Sequence, residues 1–140
     1  MQRIFSIFCA FALVAILATG CSNNVPLKGK VTFTDNDEPL TQGTVAFLKD
    51  GIVSRGTIQP DGTFVIGTEK VSDGLPPGTY QVYITGSEIT TPINEYGANS
   101  YEPQIDKKYE SPDTSGLTVT VDASTKTFDI KVDRIVPGAR

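Results

Sequence analysis

From Leu27 onward, apolar residues recur at every second position in short runs, and each run ends in a cluster of turn formers. This period marks half-buried strands. "LKGKVTFT" aligns Leu27, Val31 and Phe33, with Gly29 interrupting where a bulge or a close approach would sit. "DNDEP" is a turn. "GTVAFLK" puts Val45 and Phe47 on one face, and Asp50-Gly51 follows, the strongest two-residue hairpin signal, before the partner run "IVSRGTIQ". In "QPDGTF" Pro60 fixes its own φ and Gly62 supplies a positive one. "TFVIGT" then buries Phe64 and Ile66, or Val65 if the register slips by one residue. In "GLPPGTYQVYITG", Pro76 and Pro77 form a stiff approach and Gly78 permits the reversal. Tyr80, Val82 and Ile84 share one face, opposite the wetter Gln81, Tyr83 and Thr85. "LTVTV" buries Leu117, Val119 and Val121; "KTFDIKV" buries Phe128, Ile130 and Val132 and turns Asp129 and Lys131 to water, with "DASTK" as a hairpin loop between them. No run after residue 21 carries a helical period. Seven such strands predict an all-β, seven-stranded Greek-key sandwich.

One interval breaks the rhythm. About thirty residues, the long loop 86–116, separate the fifth strand from the sixth and are rich in Pro, Gly, Ser and Thr. Loops of that length are uncommon and are often functional. This one holds Tyr96, Tyr101 and Tyr109 beside Glu102, Asp106, Lys107, Lys108 and Glu110. Tyr96 and Tyr101 are the candidate ligand contacts. The competing reading staples loop tyrosines onto the sandwich, most strongly Tyr109, and "IDKKYE" fits one helical turn cut off by Pro112.

The front of the chain follows another rule. Arg3 precedes a predominantly apolar segment from Ile4 to Ala18, the pattern of a signal peptide over 1–20. It is short of the roughly 20 residues a spanning helix needs. "LATGC" resembles the lipobox of bacterial lipoproteins, which are cut just before a cysteine. The family usually has Leu three places before that cysteine; here Ala18 holds the place and Leu17 lies one step further out. The resemblance implies cleavage between Gly20 and Cys21 and a membrane lipid, diacylglycerol, on the Cys21 thiol. Two or three acyl chains hold firmly where one is marginal. Cys9 would leave with the signal. Ser22, not Asp, follows the cysteine, which in well-studied Gram-negative bacteria favours the outer membrane. An uncleaved helical anchor and an ordinary secretory signal are the alternatives. Residues 21–26 read as a tether, with Pro26 blocking helix.

Composition removes several functions. Lys and Arg number 12 against 16 Asp and Glu, so nucleic acid is not an expected partner. With no His there is no Ser-His triad, histidine base or His-ligated zinc. No catalytic residue, metal site or cofactor is expected. Asp35, Asp37 and Glu38 offer clustered oxygens but lack the spacing of a calcium loop and read as a turn. An isopeptide bond from Lys28 or Lys30 to Asp129 or Asp133 is opposed by the outward placement of Asp129.

The order of motifs adds a family. "GKVTFTDNDEPLTQGTVAFL", "GTIQPDGTF", "GLPPGTYQVYIT" and "YESPDTSGLTVTVDASTKTFDIKV" resemble the transthyretin-like, carboxypeptidase-regulatory-like domains carried by small lipoproteins of planctomycetes and related bacteria. The resemblance covers residues 27–133, within an expected domain of 27–136, and implies an accessory or adhesive role. The hydrolase branch of the transthyretin-like fold relies on histidines and a C-terminal motif that "RIVPGAR" does not match. The expectation is a non-enzymatic, lipid-anchored cell-envelope module on the periplasmic or outer side of a bacterial membrane, holding an envelope protein or a glycan. The alternative is a carbohydrate-binding accessory lipoprotein using Tyr96 and Tyr101. Metabolic labelling with a palmitate analogue should tag the wild-type chain and leave a Cys21→Ala variant untagged; equal labelling would refute the anchor.

Overall fold

The structure, a computed structural model, describes residues 23–93 and 95–135. The signal segment, Gly20 and Cys21 lie outside the described residues. The chain folds as an all-β sandwich. One layer orders β4 (Thr63–Val65), β1 (Lys28–Phe33) and β9 (Ile130–Val132); the other orders β3 (Ile52–Thr57), β2 (Thr44–Lys49), β5 (Gly78–Thr85) and β8 (Leu117–Val121). These are the seven strands that the alternation predicts. Two further strands, β6 (Glu88–Pro92) and β7 (Asn99–Pro103), pair only with each other among the described residues.

The inward positions fill one core. Val31, Phe33, Val45, Phe47, Phe64, Ile66, Val82, Ile84, Ile130 and Val132 are all buried. Phe64 and Ile66, not Val65, face inward, which fixes the register of β4. Phe47 lies where the layers meet. Its ring centroid is 6.2 Å from Tyr80 in its own layer, and 6.3 Å from Phe64 and 6.0 Å from Phe128 across the gap. Tilted and edge-on pairs at such distances add about 0.5–1.5 kcal/mol each beyond area burial. Leu117, Val119 and Phe128 are half-buried rather than fully enclosed, because they pack against the rim of the core.

Local chemistry makes the turns. Asp50 and Gly51 both take positive φ, 51° and 78°, as a two-residue hairpin whose twist matches its strands requires. Before β5, the Tyr80 hydroxyl donates to the Pro76 carbonyl at 2.6 Å. The double-proline approach is thereby tied to the strand it feeds.

Two expectations change. "DASTK" does not close a hairpin: β8 and β9 belong to different layers, so residues 122–127 carry the chain across the sandwich. Asp122 shapes that crossing by accepting from the Ser124 and Thr125 amides at 2.8 and 3.1 Å. Val25, inside the expected tether, joins the body: it is buried and exchanges hydrogen bonds of 2.8 and 3.1 Å with Leu75.

The register also gives the sandwich two distinct ends. The chain comes in at a proximal end, where Val25 pairs Leu75, Lys28 pairs Val65 and Thr127, and Gly78 pairs Val121. The Asp50-Gly51 turn lies there too. At the distal end Thr44 pairs Thr85, and Thr34 N donates to the Val132 carbonyl at 3.0 Å. The excursion 86–116 leaves from this distal end.

Gly29 tests the packing. A Cβ there would sit 2.0 Å from the Phe128 carbonyl oxygen and 2.7 Å from Phe64 Cζ. The glycine is needed for close approach and not for a bulge. Gly29→Ala is expected to cost about 3 kcal/mol, lowering the melting temperature by on the order of 10 °C; an unchanged thermal melt would contradict this packing.

Candidate interaction site at the distal end

The excursion has two parts with opposite characters. Gly86, at φ +67°, turns the chain off β5. Two side-chain amides then fix the root: Gln104 Nε2 donates to the Ser87 carbonyl at 2.7 Å, and Gln42 Nε2 donates to the Glu88 carbonyl. Beyond the root, β6 and β7 form an antiparallel hairpin, with Ile93 N donating to the Ala98 carbonyl at 2.8 Å. Ile and Thr favour this extended backbone. Every residue of β6 is exposed, as is all of β7 except the half-buried Ser100. The hairpin is an arm that stands off the sandwich.

Register assigns the faces, because directly paired residues point to the same side. Ile89 pairs Glu102 and Thr91 pairs Ser100, with Ile93 continuing that face. Thr90 pairs Tyr101 and Pro92 pairs Asn99 on the other. The arm therefore presents Ile89 and Ile93 on one side and Tyr101, 66% exposed, on the opposite side. Tyr96 lies in the turn at 89% exposure. Both predicted contact tyrosines are on the arm, but not on a shared concave surface. A two-stranded hairpin is marginal alone, so the fixed root matters.

The return half binds to the body. Ile105 is fully buried and its backbone bridges Arg134. Asp106 caps a single 3₁₀ turn, Lys107–Glu110, by accepting from Lys108 N at 2.9 Å. That turn is the one "IDKKYE" predicts, and it buries Tyr109. The Tyr109 hydroxyl donates to Asp133 Oδ2 at 2.9 Å and accepts from Asp133 N at 3.2 Å. Lys108 Nζ reaches the same carboxylate at 2.6 Å, and Thr34 Oγ1 donates to Oδ1 at 2.9 Å. Asp133 thus gathers three segments at one carboxylate. Ser115 adds a buried hydrogen bond to the Val82 carbonyl at 2.5 Å.

The electrostatics of this cluster suit holding, not proton transfer. Hydrogen bonds from Lys108, Thr34 and Tyr109 hold the Asp133 carboxyl down to about 2. The bond to Asp133 raises Lys108. Burial, then Asp133, raises Tyr109. General acid–base work needs groups brought toward the working pH, and these three all move away from it.

Other carboxylates are similarly engaged. Arg134 lies 3.8 Å over the Phe33 ring and pairs with Asp35 at 3.3 Å and Glu38 at 2.8 Å; Lys131 pairs with Asp37. The acidic turn is therefore held by cations, as a turn reading requires. Asp129 Oδ1 accepts from the Lys30 amide at 3.0 Å, and Asp133 is occupied as described. A cleft of about 650 Å³ runs between the β3 and β4 edges, lined by Arg55, Thr57, Gln59, Thr63, Glu69 and Lys70. Asp73, below it, accepts from the amides of Thr68, Glu69 and Lys70 at 2.6, 3.2 and 3.0 Å, and these bonds lower its carboxyl. Among the described residues the arm carries most of the exposed large apolar side chains: Ile89, Ile93, Tyr96 and Tyr101.

No family model matches the chain, and no curated protein matches it. Among solved structures it is similar to the major pilin subunit of Bacillus cereus, at 11% identity and a TM-score of 0.45, covering 80% of this chain and 30% of that one. It is also similar to a DUF3823 family protein from Bacteroides ovatus, at 18% identity and 0.43, covering 78% and 44%. A 9R-lipoxygenase from Cyanothece aligns at 14% identity and 0.37, covering 78% and 16%. The chain thus spans less than half the length of each.

The Asp133 staple should respond to acid. Its folded pKa, about 2, lies below the ordinary aspartate value of 3.8. Its contribution is complete above the unfolded value and is lost as pH falls through the folded one. Thermal melts from pH 7 to pH 2 should show wild type losing stability between about pH 4 and pH 2. Asp133→Asn should start less stable at pH 7 and lose less across that window; parallel curves would remove the staple.

Proposed function

We propose that the protein is a non-enzymatic, lipid-anchored module of the bacterial cell envelope that presents the β6–β7 arm to an envelope partner. One observation carries this reading: the arm leaves the end of the sandwich opposite the one where the chain comes in. An anchor at Cys21 would hold the proximal end at the membrane and send the arm outward. The order of turns and core residues supports placing the chain among the transthyretin-like, carboxypeptidase-regulatory-like lipoproteins of planctomycete type. The non-enzymatic reading is supported by the absence of histidine and by an Asp133 cluster tuned for holding.

A protein partner fits the arm better than a glycan. Ile89 and Ile93 give one face an apolar character. Each strand also has an outer edge on which a partner strand could pair. Carbohydrate binding through Tyr96 and Tyr101 is the second reading, favoured by the aromatic exposure of both. Tyr96→Ala with Tyr101→Ala should weaken capture of the partner from envelope extract by about tenfold or more, since exposed aromatic anchors dominate interfaces. The melting temperature should stay where it is, because exposed side chains contribute little to the fold. A matching fall in melting temperature would make the tyrosines structural, and selective retention on a glycan array would favour the carbohydrate reading.

A further inference from the structure

We infer that the proximal end of the sandwich is itself a lipid-contacting surface, which inserts side chains among the headgroups. This rests on the reading of Cys21 as the acylated residue. The first argument is reach. Val25 is fixed to Leu75 by two hydrogen bonds, so the sandwich begins four residues after Cys21. Four extended residues span at most roughly 14 Å. The headgroup layer of one leaflet takes up roughly 5–8 Å of that. Even a fully extended tether therefore leaves the near end no more than about 9 Å beyond the headgroups.

The second argument is what that end displays. Among the described residues, the large apolar side chains that are exposed fall into two groups. Four are on the arm or its turn: Ile89, Ile93, Tyr96 and Tyr101. The other three, Ile52, Val65 and Val71, are all proximal. Ile52 opens β3 beside the Asp50-Gly51 turn, and Val65 pairs Lys28 at the foot of β1. Val71, 96% exposed, lies in the loop that Gly67 and Gly74 close, and Gly74 packs against the Val25 carbonyl. That loop is shaped from within by Asp73 and braced where Ser54 Oγ meets Thr68 Oγ1 at 2.7 Å.

Charge follows the same arrangement. Each apolar residue has a lysine beside it: Lys49 pairs Ile52, Lys28 pairs Val65, and Lys70 precedes Val71. Lys126 adds a fourth next to the chain's point of arrival. Long cationic side chains suit the phosphate level of a bilayer while neighbouring apolar groups go deeper. Of the acids at this end, Asp73 and Asp122 turn their carboxylates onto loop amides and hydroxyls. Asp50 lies beside Lys49 at 3.7 Å, and Glu69 is exposed. Positive and negative groups nearly balance there, so contact depends on the apolar side chains more than on lipid charge.

The test uses the acylated full chain in vesicles of phosphatidylethanolamine and phosphatidylglycerol. A single nitroxide is placed at Val71→Cys or, separately, at Tyr96→Cys; both positions are exposed, and each variant's thermal melt checks its fold. Collision with an aqueous nickel chelate and with oxygen reports depth. The expected result is several-fold lower nickel access and higher oxygen access at position 71 than at position 96. If the acylated chain floats with vesicles while position 71 is as open to nickel as position 96, the lipid-contact inference is wrong and the anchor stands. If mass spectrometry finds no acyl group on Cys21, both fall.

Discussion

The fold depends on the closure of two sheets over Phe47. Its ring meets Tyr80 from its own layer and Phe64 and Phe128 from the other, so one side chain joins strands distant in sequence. The neighbouring constraint is the absence of a side chain at Gly29. There β1 approaches the chain entering β9 so closely that even a methyl group would overlap the Phe128 carbonyl. Large aromatics on one side and an empty Cβ position on the other are complementary conditions for a single interlayer spacing. This core forms without a disulfide in the body, since neither cysteine lies in it.

The interlayer packing leaves both ends of the sandwich available for other work, and they are built differently. The proximal end consists of short turns stabilised from inside by Asp73 and Asp122, whose carboxylates bind their own loops. The distal end consists of longer segments held by side chains from elsewhere. Gln42 and Gln104 hold the root of the arm, Arg134 holds the acidic turn, and Asp133 holds the return. A fixed root with an exposed tip gives an arm defined in direction while its surface stays exposed. The cluster at Asp133 resembles a site in its density of charged groups. Its protonation behaviour marks it as a brace.

The alternation of apolar positions made the sandwich legible because each strand has one dry face. Phe64 and Ile66, or Tyr80, Val82 and Ile84, carry that signal without reference to the rest of the molecule. Tyr109 was legible for a related reason: it sits beside a core strand, in a segment able to form one helical turn. The arm was not legible. Both of its faces are wet, so β6 and β7 lack the sustained apolar face that marks the core strands. Ile89-Thr90-Thr91 was a β-branched cue, but Pro92 and the surrounding glycines and serines read as loop. The layer change between β8 and β9 was hidden because a short polar linker has the same composition whether it closes a hairpin or crosses a sandwich. The convergence on Asp133 was hidden too, since Thr34, Lys108 and Tyr109 are far from it in sequence.

The parallel pairing of β1 with β9 has a kinetic consequence. Val31 lies against Ile130, and the Lys30 amide reaches Asp129 across 99 positions of chain. β1 is the central strand of its layer, so one of its edges stays open until almost the last residues of the domain arrive. Contacts that span so much sequence form slowly, because a long loop must be closed before any interaction offsets its entropy. A nascent chain would carry an unfinished layer through most of its synthesis, and any machinery that moves extended polypeptide has until then to act on it.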